Sequence, residues 1–416
     1  MASGTDSSSN VPRLTDLLGI GVLTRVVPRD LVDEILAETG RTEKRKRLLP
    51  ARVVVYYVMA LTLFYGDAYE EVMRRLVGGL KLMRSWRNEW VIPTTGAISQ
   101  ARARLGEEPM KEIFSRVAQP LAAPGTVGSW YQGMRVMAVD GVVIDTPDTP
   151  DNAAAFGRSI NHKSPSPFPQ VRLVALAECG TRAVVSAAMG PLATYERELM
   201  LDVLPALTTD MLVLADRGYY GYDHWLRTRE TGAHLLWRIK TQIEFPVLQR
   251  LPDGSYRSKV LSKQVKADLR KGTRRHPTAD EAPDVRVIEY TIDNRATEPE
   301  VIRLVTSILD HELAPAAELA ALYQERWELE LALDEIQTHQ LARPRVLRSK
   351  SPELVRQELW ALLLTHYAIR HLIHEAADDI DIDPDRISFM RTLRLVRRHT
   401  TDQAAFSPHT TQPGQT

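Results

Sequence analysis

Two aspartates and one glutamate stand where a divalent-cation site could be built. Asp140 and Asp216 each follow an apolar run, Met134–Val139 and Met211–Ala215, and each has a glycine within the next two residues. In an open α/β sheet, ligands bind just beyond the carboxyl ends of strands, where a carboxylate can ionise yet is held firmly enough to grip a cation. One strand-end aspartate often does no more than shape a turn, so the second occurrence carries the argument. The third component lies on a helix spanning Ala316–Gln340, which contains Tyr323, Arg326, Glu330 and Gln337. At ~100° per residue these four share an arc of about 60°. Leu322, Leu329, Leu333 and Ile336 form an adjacent apolar stripe, so the helix would dock by that stripe and present a Tyr/Arg/Glu face along the sheet edge. Asp334 falls beside Glu330 and is a rival ligand, and a surface helix laced by Glu–Arg pairs at i,i+4 spacing is the competing reading.

Three carboxylates converging on Mg²⁺ or Mn²⁺ is the chemistry of two-metal phosphoryl transfer, in which one ion activates water or a 3′-hydroxyl and the other stabilises the leaving oxygen. Tyr323 and Arg326, on the turns before Glu330, could grip adjacent phosphates.

The elements that must position these groups differ along the chain. Residues 1–12 are a polar tail. Pro28–Gly40 has a helix start, apolar positions Leu31, Val32, Ile35 and Leu36, and a terminal glycine. A basic cluster follows: Arg41, Lys44, Arg45, Lys46, Arg47 and Arg52, opposed only by Glu43. Val53–Phe64 reads as a buried helix, Tyr69–Leu80 as an amphipathic one, and Ser99–Leu105 as a short capped helix with Arg102 and Arg104. Residues 1–125 are therefore expected to be a helical domain with basic faces, each basic run alone being equally a solvated surface. From Trp130 the texture turns to strands: Met134–Val139, Val142–Ile144, a hairpin of Val171–Ala177 and Ala183–Met189 around Gly180, then Met211–Ala215 and Leu235–Ile239, with a helix at Tyr222–Thr231. This predicts an α/β layer with a partly parallel sheet over 126–376. It is interrupted over 241–300 by a Pro-rich, β-rich insertion with a basic stretch at Lys263–Arg275 and a strand at Val285–Ile292. A strand at Ile302–Ser307, the Ala316 helix and a further helix at Pro352–Ala376 complete it, and 377–416 is a basic segment and loose tail.

Composition bounds the class. The chain has 416 residues, 44% hydrophobic and 25% charged, which excludes a disordered chain, a coiled coil and a collagen-like fibre. The single cysteine, Cys179, excludes a disulfide framework and a cysteine-rich zinc module, and reads as a strand-packing residue. No apolar run reaches the ~18 residues of a membrane span, and the N-terminus lacks a signal-peptide pattern. A cytoplasmic protein, at the nucleoid when bound to DNA, is expected. Lys+Arg and Asp+Glu number 53 each, for a formal net charge of zero. That argues against a nucleic-acid partner only if the charges are mixed evenly, and they are segregated into clusters.

The chain resembles the bacterial DDE transposases of the fourth insertion-sequence family over nearly its whole length. The resemblance rests on Met137–Gly157, with Asp140-Gly-Val-Val-Ile-Asp-Thr-Pro at its centre; on Leu-Ala-Asp216-Arg-Gly-Tyr-Tyr-Gly-Tyr222; on Leu-Tyr323-Gln-Glu-Arg326-Trp-Glu-Leu-Glu330 with Gln337 beyond; and on Leu-Leu-Pro-Ala-Arg52-Val-Val-Val-Tyr-Tyr57 near the N-terminus. It implies a ribonuclease-H-like catalytic core with a β-rich insertion, preceded by a helical end-binding domain, and a metal-binding DDE triad of Asp140, Asp216 and Glu330. The family signature Tyr, two residues, Arg, three residues, Glu, six residues, Lys is matched by Tyr323, Arg326 and Glu330, while Gln337 replaces the Lys. Arg343 or Lys350 could substitute for that cation. Relatives use an aromatic residue of the insertion region to stabilise a flipped base; Trp237 and Tyr256 are candidates, with a core role the competing reading for Trp237.

The implied activity is binding of terminal inverted repeats, then Mg²⁺-dependent cleavage and strand transfer of double-stranded DNA, with Mn²⁺ able to substitute and two ions per site. DNA contacts are expected from Tyr323, Arg326, Gln337, Arg343, Arg345, Arg348, Arg102, Arg104, Arg45 and Arg47, with a further basic cluster at Arg386, Arg391, Arg394, Arg397 and Arg398. Pairing two ends implies a homodimer in the synaptic complex. No phosphate-binding loop ends in Gly-Lys-Ser/Thr, so no nucleotide cofactor is implied. Two alternatives remain: a decayed or domesticated transposase that only occupies ends, favoured by Gln337, and a tyrosine recombinase built on His224, Arg227 and Tyr256.

Overall fold

The computed structural model describes residues 20–43, 49–80, 92–161, 164–273, 278, 281–292, 300–341 and 345–399. Arg45, Arg47 and Arg343 lie outside them, as do the polar tails. Helices α1 (Ile20–Val26), α2 (Arg29–Glu38), α3 (Ala51–Leu63), α4 (Tyr69–Leu80), α5 (Thr95–Leu105) and α6 (Glu108–Val117) come first. The third is apolar on nearly every side and buried throughout its second half. Helix α5 begins four residues before Ser99, because Thr94 and not Ser99 is its cap, accepting from the Ala97 amide at 3.3 Å.

The strand region opens with β1 (Trp130–Tyr131) and β2 (Met134–Asp145), then α7 (Pro150–Phe156), a small pair β3 (Ile160–Asn161) and β4 (Ser164–Pro165), and the hairpin β5 (Gln170–Glu178) and β6 (Val184–Pro191). Helix α8 (Glu196–Val203), β7 (Met211–Ala215), α9 (Tyr222–Glu230) and β8 (His234–Ile239) follow. Next come β9 (Gln249–Arg250), β10 (Tyr256–Lys259), α10 (Lys263–Lys271), β11 (Asp284–Ile292) and β12 (Glu300–Thr306). Last are α11 (Ala316–Leu322), α12 (Trp327–Asp334), α13 (Pro352–Asp378) and α14 (Phe389–His399).

The main sheet runs β6-β5-β2-β7-β8-β12-β11-β10-β9. Its first five strands are an antiparallel meander joined to two parallel strands, with β2 parallel to β7 and β7 parallel to β8. That order, with helices on both faces, is the ribonuclease-H-like α/β core. The 241–300 insertion does not build a separate sheet. Its strands extend the same one, with β12 antiparallel to β8, and the basic stretch at Lys263 is helical (α10). One further expectation is corrected: β2 is a single strand through Gly141, so Asp140 lies within it and not at its end.

Alternation along the strands assigns the two faces. Val136 and Ala138 of β2 with Leu212 and Leu214 of β7 pack on the side that holds α3, α12 and α13. Met137, Val139, Val213 and Ala215 pack on the side of α8 and α9. Helix α13 is buried along most of its 27 residues and lies against α3, α6 and α14 as well as β6, so a boundary at residue 125 does not separate two cores. The chain crossing at 118–123 is fastened by Glu178, which accepts from the Leu121 and Ala122 amides at 2.9 Å and pairs with Arg135. Gly180, at φ +79°, has no room for a side chain, since a Cβ would stand 2.3 Å from the Val127 carbonyl.

Behind α12 the helix widens into a π turn, Glu335–Gln340. Glu335 is buried and meets Arg370 of α13, whose Nε donates to it at 2.8 Å, and His366 Nε2 at 3.0 Å. Burial alone would raise the Glu335 carboxyl, but His366 and Arg370 outweigh it and hold it below its ordinary value. Glu335→Ala would leave Arg370 charged and unpaired in the core, a loss of about 3–5 kcal/mol. Urea unfolding should show that loss as a lower midpoint at unchanged slope.

Candidate active site

The parallel register sets the site. Val139 of β2 pairs with Ala215, the last residue of β7. Asp140 and Asp216 are the residues that follow this last pair, and alternation along β2 gives Asp140 the face that α12 covers. Beyond this point β7 has ended, and the flank of β2 is open to side chains from the Ala316–Gln340 helical run.

That run is continuous but uneven: α11, a 3₁₀ turn over Tyr323–Arg326, α12, then the π turn. Leu329, Leu333 and Ile336 are buried as the apolar stripe requires. Tyr323 is also buried, and its hydroxyl donates to the Ala215 carbonyl at 3.2 Å, fastening the helix to the end of β7. Arg326 is 7% exposed and bridges two carboxylates. Its Nη1 donates to Asp140 Oδ2 at 2.8 Å and its Nη2 lies 2.6 Å from Glu330 Oε1. Glu330 is thereby tied to Asp140 through a guanidinium. Asp334, the rival ligand, is exposed and accepts from Thr338, which leaves Glu330 as the helix's contribution.

Asp140 carries the strain of this crowding. Burial raises its carboxyl most; the Gly141 amide (2.8 Å) and Arg326 lower it, while Glu330 and Glu196 push it up again, to about 6. The donor set is all carboxylate oxygen, which suits a hard divalent cation, and the half-buried Asp140 has two further acids nearby with Arg326 as its paired cation. The residues therefore fit such an ion. Among the described residues no three ligating side chains converge; Arg326 pairs with both Asp140 and Glu330.

Several residues expected to face DNA are engaged elsewhere. Arg102 is 1% exposed, with its guanidinium donating to Gln357, Tyr69 and Ser349, so it clamps α5 to α13 and is withdrawn from the DNA-facing set. Gln337 donates from Nε2 to the Val143 carbonyl at 2.9 Å, pinning the π turn to β2. Arg348 lies over the rings of Tyr65 and Tyr69 and donates to the Tyr65 carbonyl at 3.3 Å. Arg104, Arg345 and Lys350 are exposed. So are Arg391 and Arg394, on an amphipathic helix (α14) that the basic pattern alone did not reveal. Trp237 is fully buried edge-on to Trp225, and Tyr256 is buried on β10 with its hydroxyl 3.3 Å from Glu289. Neither flipped-base candidate faces solvent. Tyr256 is also three strands away from β8 in the sheet, which separates it from the His224–Arg227 pair on α9. The aromatic residue that does face solvent beside the site is Trp327, 58% exposed and 5.3 Å from the Arg326 guanidinium. Its place directly after Arg326 was the available signal.

A ribonuclease-H-like sheet with acids at the β2/β7 junction and on α12 suits metal-dependent phosphoryl transfer. The family model for the insertion element 4 transposase N-terminal region matches residues 18–115, and the model for the transposase DDE domain matches residues 131–367. The chain is 30% identical over 383 residues to the transposase InsG for insertion sequence element IS4 of Escherichia coli (strain K12), covering 91% of this chain and 82% of that one. A structure of the piggyBac transposase synaptic complex with hairpin DNA overlaps 92% of this chain and 80% of that chain, at a TM-score of 0.46 and 7% identity. The chain belongs to the DDE transposases of the insertion element 4 type. It is a DNA-cleaving and strand-transferring enzyme that depends on a divalent metal.

The raised Asp140 carboxyl gives a signed expectation without metal. Its folded-state value of about 6 lies above its ordinary 3.8, so the native chain binds the proton more tightly and loses stability as pH rises through that interval. Asp140→Asn removes this cost. In EDTA, its melting temperature should match that of the parent near pH 4, exceed it increasingly up to pH ~6, and hold a constant lead above, worth on the order of 1–3 kcal/mol.

Proposed function

We propose that this chain binds the terminal inverted repeats of an insertion sequence and carries out cut-and-paste transposition, with Asp140, Asp216 and Glu330 as ligands for two Mg²⁺ ions that Mn²⁺ can replace. The observation that carries the reading is the β2/β7 register, which sets Asp140 beside Asp216 while Arg326 ties Glu330 to the same place. When bound, the ions supply charge neutralisation for the attacking and leaving oxygens. The chain's own residues do the rest. Tyr323 holds the helix against β7, Arg326 is released from Asp140 and Glu330 to meet a phosphate, and the exposed indole of Trp327 offers a face on which a base can stack.

We assign end recognition to residues 1–125, catalysis to 126–376 with the 241–300 insertion, and support of the DNA to the basic 377–416 segment. Arg104 and Arg345 are the described arginines we place on the backbone, with Arg45, Arg47 and Arg343 added from the sequence alone. Joining two ends calls for a homodimer, and exchange of one phosphodiester for another calls for no nucleotide cofactor. Among the described residues no helix is long and apolar enough to cross a membrane; the nucleoid in the cytoplasm is the proposed place of action.

A duplex carrying the element's own terminus, incubated with Mn²⁺ and resolved on a denaturing gel, tests this. The parent chain should nick the end. Asp140→Asn, Asp216→Asn and Glu330→Gln should each lower the rate by about two orders of magnitude or more, the scale of losing several kcal/mol of transition-state stabilisation. Undiminished cleavage in all three would sink the assignment. Gln337 favours a second reading, a DNA-binding protein that has lost cleavage, and tight end binding by the parent with no nick in either ion would select it.

End binding should also fall steeply with salt, with a log–log slope of about −0.9 per phosphate contacted, despite a pI near 7.2. A flat response between low and moderate salt would show that the basic clusters do not meet the backbone.

A further inference from the structure

A fourth carboxylate lies against the residue that follows Asp140. Glu196, the first residue of α8, packs on Gly141 so closely that a Cβ there would stand 2.7 Å from the glutamate Cγ, 2.8 Å from Cδ and 3.1 Å from Oε1. Any side chain at 141 would drive Glu196 away. Arg172 of β5 holds Glu196 from the other side, its Nη1 donating to Oε1 at 2.8 Å and its Nη2 to the Leu192 carbonyl at 3.2 Å, while its Nε is buried without a partner. Glu330 and Glu196 both act on the Asp140 carboxyl, so three acids share one electrostatic neighbourhood although they arrive from opposite faces of the sheet. They can do so because β7 ends at Ala215 and leaves that flank of β2 open.

An independent observation points into the same place. Tyr219 is 1% exposed, and its hydroxyl has no hydrogen-bond partner. The charged groups that act on it are Asp140 first, then Glu196, Arg172 and Asp216. A buried, unpartnered hydroxyl is thus within electrostatic reach of three carboxylates, and native proteins rarely leave such a group without a use.

We infer that Glu196 is a fourth carboxylate of the divalent-cation site and that the Tyr219 hydroxyl is the donor that positions it and Asp140 when a cation is bound. The inference rests on the reading of Asp140, Asp216 and Glu330 as ligands. Arg326 pairs with Asp140 and Glu330 from one face while Arg172 pairs with Glu196 from the other. Two arginines thus serve three acids, so the cluster draws positive charge from both faces of the sheet. Hard cations take several oxygen ligands and keep water in the remaining positions, so a fourth acid does not overfill the site. Tyr219 acts through the carboxylates and is a positioning residue.

The test uses the full chain, stripped with EDTA and titrated with Mn²⁺ alone, bound ion being read from loss of the free Mn²⁺ electron paramagnetic resonance signal. Glu196→Gln should weaken binding about tenfold to a hundredfold, and Tyr219→Phe by about tenfold, in the range seen when partners of metal ligands are removed. Asp140→Asn should lose at least as much. Asp202→Asn, which removes an exposed charge from the same helix, should leave binding unchanged. Glu196→Ala, too short to crowd Gly141, is the second variant, and melting in EDTA confirms that each variant is folded. Parent-like Mn²⁺ binding by both Glu196 variants, with Asp140→Asn defective, overturns this inference and leaves the three-acid reading standing. Parent-like binding by Asp140→Asn overturns the three-acid reading, and this inference falls with it.

Discussion

Like charges repel, and a protein that keeps several carboxylates within reach of one another must supply something to hold them there. In this chain the Arg326 guanidinium does so: one planar fork, nearly buried, with a hand on Asp140 and another on Glu330. The rest of the architecture serves that contact. The parallel pairing of β2 with β7 sets where Asp140 must be, Tyr323 anchors the helix one turn before the fork, and Gln337 anchors it two turns after Glu330. Without the guanidinium the helix would carry Glu330 toward an acid with no compensation, and Asp140 would hold its proton still more tightly.

The helix that bears Glu330 is also secured from behind. Glu335 turns inward to Arg370 and His366 of α13, and Arg182, from the β5–β6 hairpin, reaches Glu328 and Asp385. The Glu335 pairs are buried and the Arg182 pairs partly so, and such pairs are weak as sources of net stability but strict about geometry. They join the sheet, the Glu330 helix and the C-terminal helices into one body. Helix α13 packs that body against the N-terminal helices, so the regions assigned to recognition and to chemistry share a continuous core.

Much of this could be read from residue order. Apolar runs of five to six residues gave β7 and β8, the Gly180 turn gave the β5–β6 hairpin, and 3.6-residue periodicity gave the Ala316–Gln340 helix with its buried stripe. What escaped was whatever depends on partners distant in sequence. Gly141 read as a strand terminator, but it is the point at which Glu196 meets the strand, so β2 runs straight through it. Arg102 looked like a basic surface residue because a guanidinium is normally solvated; three acceptors from other elements make its burial tolerable. The π turn had no local signature; within it Glu335 is held by α13 and Gln337 by β2, neighbours distant in sequence.

The insertion leaves and rejoins the core at adjoining strands. Ile239, where β8 ends, pairs with Arg303 of β12, so the excursion between them is closed by the sheet's own hydrogen bonds. Adjacent strands lie about 4.8 Å apart, and the entropy of closing a loop grows only with the logarithm of its length. Residues could thus be added to or removed from this excursion at small thermodynamic cost, with the start of the Glu330 helix left where it is. That makes the segment between β8 and β12 a place where the length of the chain can change while the spacing of Asp140, Asp216 and Glu330 stays fixed.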